Sequence, residues 1–191
     1  GQAVFMNAWG SLGSGINQLD GPTGVAVGPD GKVYVADRSN NRVQIFDGIG
    51  NYLSTIGTGT SGTGNDSLSI PFDVAVSSNN TIYVADAGNA RVQVFRSSLG
   101  YQATLGTTGV PGTGSNQFGG LSGIAVLSTG TVYVTDFGNE RVQEFNSNNV
   151  YQSTLGTTGI VGTGSNQFNT TEGVGVAPNG NVYVSDLHNQ R

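Results

Sequence analysis

The 191-residue chain has no cysteine, one histidine (His188), one lysine (Lys32) and only 19 charged residues, 7 basic and 12 acidic. Each shortage closes off a class of function. Without cysteine there are no disulfides, thiolate metal sites or cysteine nucleophiles. A lone histidine excludes a multi-histidine metal site within the chain. A net charge of -5, with one lysine and six arginines, opposes a sequence-independent grip on phosphates. No apolar run approaches the roughly 18 residues needed to cross a bilayer as a helix, and no signal-peptide core is present. Gly1 stands where an initiator methionine would be expected, so the sequence reads as beginning inside a longer or processed chain.

Glycine, serine, threonine and asparagine are abundant, with 32, 18, 19 and 19 copies. Hydrophobic residues still make up 36% of the chain, so a packed core is available and charge-driven disorder is excluded. The small residues are arranged periodically. YVADRSNNRVQIF (34–46) returns as YVADAGNARVQVF (83–95) and YVTDFGNERVQEF (133–145), then as YVSDLHNQR up to Arg191. The tyrosines Tyr34, Tyr83, Tyr133 and Tyr183 mark a period of about 50 residues. GVAVGPDGK (24–32) precedes the first copy and has counterparts at 73–81, 123–131 and 173–181. A third block, LGTTGVPGTGSNQF (105–118), is nearly copied at 155–168.

Each repeat reads as four short strands. Val25-Ala26-Val27 and Val33-Tyr34-Val35-Ala36 flank the turn signal Pro29-Asp30-Gly31, which predicts a hairpin. Val43-Gln44-Ile45-Phe46 is the third strand and Tyr52–Ile56 the fourth, and no helical period is sustained over ten residues. Four antiparallel strands at this period predict an all-β fold, a β-propeller of four-stranded blades. The pattern D-x-x-N-x-R-V-Q-x-F, following G-V-A-V and Y-V, resembles the NHL repeat, a four-stranded propeller blade, over essentially the whole chain. The linker after each fourth strand departs from that family in being longer and richer in Gly and Thr.

The expected organisation is one domain over 1–191, with blades at about 20–57, 69–106, 119–156 and 170–191, the last incomplete. Trp9-Gly10 aligns with Ile56-Gly57 and Leu105-Gly106, so residues 4–9 read as a closing fourth strand with Trp9 in the core. Two architectures fit this phase: a four-bladed ring, favoured by the register of the overhang, or part of a larger ring. The resemblance implies the latter is open, because related domains commonly carry six blades.

The polar residues that recur are Asp37, Asp86, Asp136 and Asp186, then Asn40, Asn89, Asn139 and Asn189, then Arg42, Arg91, Arg141 and Arg191. Their presence in every repeat predicts a structural role, pinning the turn between second and third strands and stapling blades. The sharper alternative is a ring of the four aspartates holding a hard cation through oxygen ligands. Residues that break the symmetry are better candidates for partner contact: Arg38, Phe137 and Leu187 at one position, His188 at the next. Asp20, Asp66, Asp73 and Glu172 flank the first strands, and most of them are expected to be solvated. Sequons occur at Asn65, Asn79 and Asn169.

No catalytic residue and no cofactor is expected. The reading is a non-catalytic, secreted or cell-surface propeller scaffold binding proteins or glycans, or assembling with copies of itself through an open blade edge into a surface structure or filament. The alternative is a metal-dependent lyase or hydrolase with a cation in the central channel. The resemblance implies amidating lyases among the relatives, but those hold their metal through several histidines. It also implies RNA-binding domains with a basic face, which this chain lacks.

Overall fold

The computed structural model describes residues 7–191. β-Branched and aromatic residues alternate with small ones through each repeat, and they form strands where that pattern falls. The linker ahead of the first blade carries the short parallel pair β1 (Ser11–Leu12) and β2 (Gln18–Leu19). Blade 1 is the antiparallel sheet β3 (Pro22–Val27), β4 (Val33–Asp37), β5 (Arg42–Phe46) and β6 (Tyr52–Ile56). Blade 2 comprises β7 (Pro71–Val76), β8 (Ile82–Asp86), β9 (Arg91–Phe95) and β10 (Tyr101–Gly106). Blade 3 comprises β11 (Leu121–Val126), β12 (Val132–Asp136), β13 (Arg141–Phe145) and β14 (Tyr151–Leu155). Blade 4 is the pair β15 (Thr171–Val176) and β16 (Val182–Asp186). The chain is thus a β-propeller of about four blades with the last one incomplete.

Three of the second-to-third strand connections are single 3₁₀ turns, Arg38–Asn40, Ala87–Asn89 and Phe137–Asn139. Each is closed by a left-handed residue, Asn41, Ala90 or Glu140, at φ of 50–52°. The first strands stand side by side, β3 against β7, β7 against β11 and β11 against β15, and β15 makes no comparable contact with β3. The described residues therefore form an arc of blades and not the closed four-bladed ring that the register of the overhang favoured. The expected closing strand 4–9 lies outside the described residues over 4–6, and residues 7–9 adopt no strand.

Two apolar seams hold the arc. Tyr34, Val43 and Ile45 of blade 1 meet Val74, Ile82 and Val84 of blade 2. Tyr83, Val92 and Val94 of blade 2 then meet Ile124, Val132 and Val134 of blade 3. Each blade therefore offers one face forward and one backward, as the period-2 alternation of its strands requires. Trp9 is not buried in that core. It is 36% exposed and lies over the outer part of blade 1, its ring centroid 6.2 Å from that of Phe46. That is the place Ile56 takes against Phe95 and Leu99 in blade 2. Trp9 therefore takes the position that its alignment with Ile56 predicts, but not the burial, because no further blade covers it among the described residues.

Candidate functional site

The recurring Asp, Asn and Arg converge at one end of each blade, where the register pairs the last residue of the second strand with the first of the third. Asp37 faces Arg42, Asp86 faces Arg91 and Asp136 faces Arg141 across that rung. In blade 2, Asp86 Oδ2 accepts from Asn89 Nδ2 at 2.8 Å and Arg91 Nε at 2.7 Å, and Oδ1 accepts from Ser69 N–H at 2.6 Å. The guanidinium then donates to the carbonyls of Thr63, Gly64 and Ser67 in the preceding linker, and to Thr108 Oγ1 in the following one. Asn89 Nδ2 donates to Gly62 O at 2.8 Å. Blade 3 repeats the set with Asp136, Asn139 and Arg141 against Gly112, Thr113, Gly114 and Gln117. Blades 1 and 4 repeat it with Asp37, Asn40 and Arg42, and with Asp186, Asn189 and Arg191.

These four carboxylates are buried, and each is occupied by donors from its own blade and linker. A carboxylate whose lone pairs already accept charge-assisted bonds has little left to offer a cation. No group of three or more His, Asp or Glu able to hold a metal occurs among the described residues. One further member was readable in the repeat but was not placed with the others: Gln44, Gln93 and Gln143 lean on the same Oδ2 at 3.2–3.4 Å. In blade 4, burial raises the Asp186 carboxyl, but the bonds from Asn189, the Asn169 N–H and Arg191 outweigh it. They hold the group below its ordinary value.

The four flanking acids separate. Asp20, Asp66 and Glu172 are exposed, whereas Asp73 is largely enclosed between first strands. It stands on β7 where the other blades have Gly24, Gly123 and Gly173. Its Oδ2 accepts from the Ile124 N–H of blade 3 at 3.0 Å and its Oδ1 from its neighbour Val74 at 2.9 Å. Removal from water exceeds the help of those two bonds and pushes the carboxyl above its ordinary 3.8. Most of the four are thus solvated, as expected, and Asp73 is the exception, because the glycine at position 24 of blade 1 leaves room for its side chain. A carboxyl whose folded-state value is raised adds stability below its unfolded value and loses it as pH rises through the folded value. Asp73→Asn removes that downward contribution, so across mildly acidic pH the unfolding free energy should have a more positive slope with rising pH in the variant than in the wild type. Urea titrations at a series of pH values would read this, and parallel curves for the two proteins would refute it.

The symmetry-breaking residues lie on the rim that carries the 3₁₀ turns. Phe137 is 45% exposed and packs over Gly120; Leu187 is 49% exposed at the corresponding turn of blade 4. Ile70 is also exposed, and Arg38 lies with its guanidinium carbon 5.4 Å from the centroid of the Phe72 ring, within cation–π range. Arg38, Ser39, Asn41 and Ile70 line one open hollow on this rim. His188 is exposed and its Nδ1 lies 2.7 Å from Thr170 Oγ1, with no carboxylate partner among the described residues. Of the sequons, Asn65 and Asn79 are exposed and Asn169 is half-buried. The Asn79 side chain is folded into its own turn, with Oδ1 accepting from Thr81 N–H. No helix among the described residues is long and apolar enough to cross a membrane.

Three segments, 19–46, 68–95 and 118–145, match the profile of the NHL repeat. Protein lin-41 of Caenorhabditis elegans is 56% identical over 46 residues, 24% of this chain and 4% of that protein. E3 ubiquitin-protein ligase TRIM71 of Rattus norvegicus is 47% identical over 45 residues, 24% of this chain and 5% of the ligase. The chain thus spans a small part of these relatives. Among solved structures, a Bacteroides thetaiotaomicron protein of unknown function superposes with a TM-score of 0.69 at 14% identity, over 88% of this chain and 45% of its own. A streptogramin B lyase superposes with a TM-score of 0.62 at 15% identity, over 88% of this chain and 49% of its own. At such identities the two structures share the fold alone.

Proposed function

We propose that this chain, an all-β propeller three of whose blades match the NHL repeat, is a non-catalytic scaffold that binds a protein partner through its 3₁₀-turn rim. One observation carries the reading: the recurrent polar residues are consumed in holding linkers, while the residues that vary between turns are exposed and chemically diverse. Arg38 and Ile70 on one side, and Phe137 and Leu187 further round, supply the aromatic, aliphatic and cationic anchors that protein interfaces favour. Scarce charge and abundant Ser, Thr and Asn also suit a secreted or cell-surface setting, in which the exposed Asn65 and Asn79 tolerate glycans. The local similarity to lin-41 and to the TRIM71 ligase supports an interaction role more than a catalytic one. The lyase neighbour supports only the fold.

The test is affinity capture from extracellular fluid of the source, comparing the wild-type chain with Phe137→Ser/Leu187→Ser. Both changes fall on exposed side chains, so the variant should keep its β circular dichroism. A partner retained by the wild type should be lost at least about tenfold by the variant, the scale of a hot-spot pair. Equal retention of every protein by the two chains would reject the rim as the binding face.

A further inference from the structure

Blades 2 and 3 enclose a hollow of about 130 Å³ between their first-to-second strand turns, at the end of the sheets opposite the 3₁₀ rim. Of its ten lining residues seven carry a hydroxyl, two a carboxamide and none a charge; the tenth is Gly130. Ser78 Oγ donates across the junction to Ser128 O at 3.0 Å and ties the two walls together. Tyr83 lines the hollow and is 3% exposed, yet its hydroxyl makes no hydrogen bond among the described residues. Burial alone raises that hydroxyl above its ordinary 10.0. Its counterpart in blade 3, Tyr133, has Glu144 at 3.4 Å, where blade 2 carries Val94. Asn79 Oδ1 accepts from Ser77 Oγ and from the Thr81 N–H at 3.1 Å, which orients the amide and leaves Nδ2 as its open donor. The junction between blades 1 and 2 is built otherwise. Asp30 and Lys32 stand there in the places of Asn79 and Thr81 and close on each other at 2.6 Å, and Leu53 replaces Gln102. Asn80 replaces Gly130, and its buried Oδ1 lies 3.4 Å from where a Cβ on Gly28 would stand, with Tyr34 Cε2 3.3 Å from the same point.

We propose that this hollow between blades 2 and 3 binds a single neutral sugar ring. A charged ligand would find no counter-charge in the lining, and removing its charge from water would go uncompensated. An apolar ligand would strand the Tyr83 hydroxyl, a buried group whose lack of a partner costs free energy. A ligand rich in hydroxyls, each both donor and acceptor, answers a lining of hydroxyls and carboxamides group for group. The volume is well above what one water needs and below that of a pocket for a drug-sized ligand, so it suits one ring and not a peptide. This end of the blades takes no part in the proposed protein contact, so the two readings fail separately.

The test uses the chain produced in bacteria, where Asn79 stays unmodified. It is titrated with glucose, mannose, galactose and N-acetylglucosamine, each free and as its methyl glycoside, while backbone amide NMR shifts are followed. At least one sugar should give saturable shifts centred on Asn79, Tyr83 and Gly130. A methyl glycoside bound at least as well as the free sugar marks the end of a glycan as the source; loss of binding on methylation marks a free sugar. Gly130→Asn should abolish the shifts by giving this junction the side chain that blade 2 carries at Asn80. The backbone there is left-handed, at φ +88°, and blade 2 holds Asn80 at φ 62° with Ser97 in the place of Ser147. Tyr83→Phe removes a hydroxyl that has no protein partner among the described residues, so it should keep the fold and weaken binding about tenfold. If Gly130→Asn loses its β circular dichroism, Tyr83→Phe decides alone. No saturable shift with any of the sugars, shifts centred elsewhere, or unchanged binding in either folded variant would overturn the inference.

Discussion

Asp86→Ala should be among the most damaging single substitutions in this chain, costing about 3–5 kcal/mol of stability, because it leaves a buried guanidinium without its counter-charge. The Arg91 side chain is only 2% exposed and lies 2.7 Å from Asp86. Removing the carboxylate also takes away the acceptor of the Ser69 N–H and one of the two acceptors of Asn89 Nδ2. The same change at Asp186 should cost much less, since Arg191 is 45% exposed and can be hydrated. Chemical unfolding of the two variants decides the matter. Near-equal losses would show that burial of the ion pair is not what sets its contribution.

Phe118→Ala should cost a comparable 3–5 kcal/mol, the range for deleting a fully buried aromatic ring. Phe118 ends the Gly/Thr-rich linker between blades 2 and 3, and it is wholly buried, its ring centroid 6.1 Å from that of Phe145. The linker turns sharply at Gly106, whose φ is +91°; a Cβ there would lie 2.8 Å from both the Ala90 carbonyl and the Phe118 ring. Part of the ring's surroundings is thus backbone, which limits how far they can close on the space that the ring leaves. Phe168, at the same point of the next linker, is only half-buried, and Phe168→Ala should cost clearly less. Thermal unfolding of the pair would expose an error in this account if Phe168 proved the more costly.

Most of the blade architecture was legible because it is periodic. The strand starts at Val33 and Tyr52 follow from alternation and turn residues, and the third strand, read from Val43, begins one residue earlier at Arg42. What was not legible depends on neighbours. Nothing local to Asp73 says that Gly24 of the preceding blade leaves room for it, although an aspartate at a position otherwise filled by glycine is the available signal. Trp9 was aligned correctly yet misjudged in burial, since exposure depends on which blade lies beyond it. The rim residues Arg38, Phe137 and Leu187 stood out as departures from the repeat. That they share a rim with Ile70 follows only once β7 is seen to begin beside the turn that ends β8.

The direction in which the arginines reach has a consequence for how the molecule comes apart. Arg91 grips the linker before its own sheet at three carbonyls and touches the one after it through a single hydroxyl, Thr108. The natural cassette is therefore offset from the sheet. It runs from Gly57 through Leu105, or from Gly106 through Leu155, taking each linker with the blade that follows it. An array lengthened or shortened at Ile56, Leu105 or Leu155 keeps every clasp with its own ligature. A cut at a sheet's first strand severs one, and the orphaned guanidinium travels with the wrong piece.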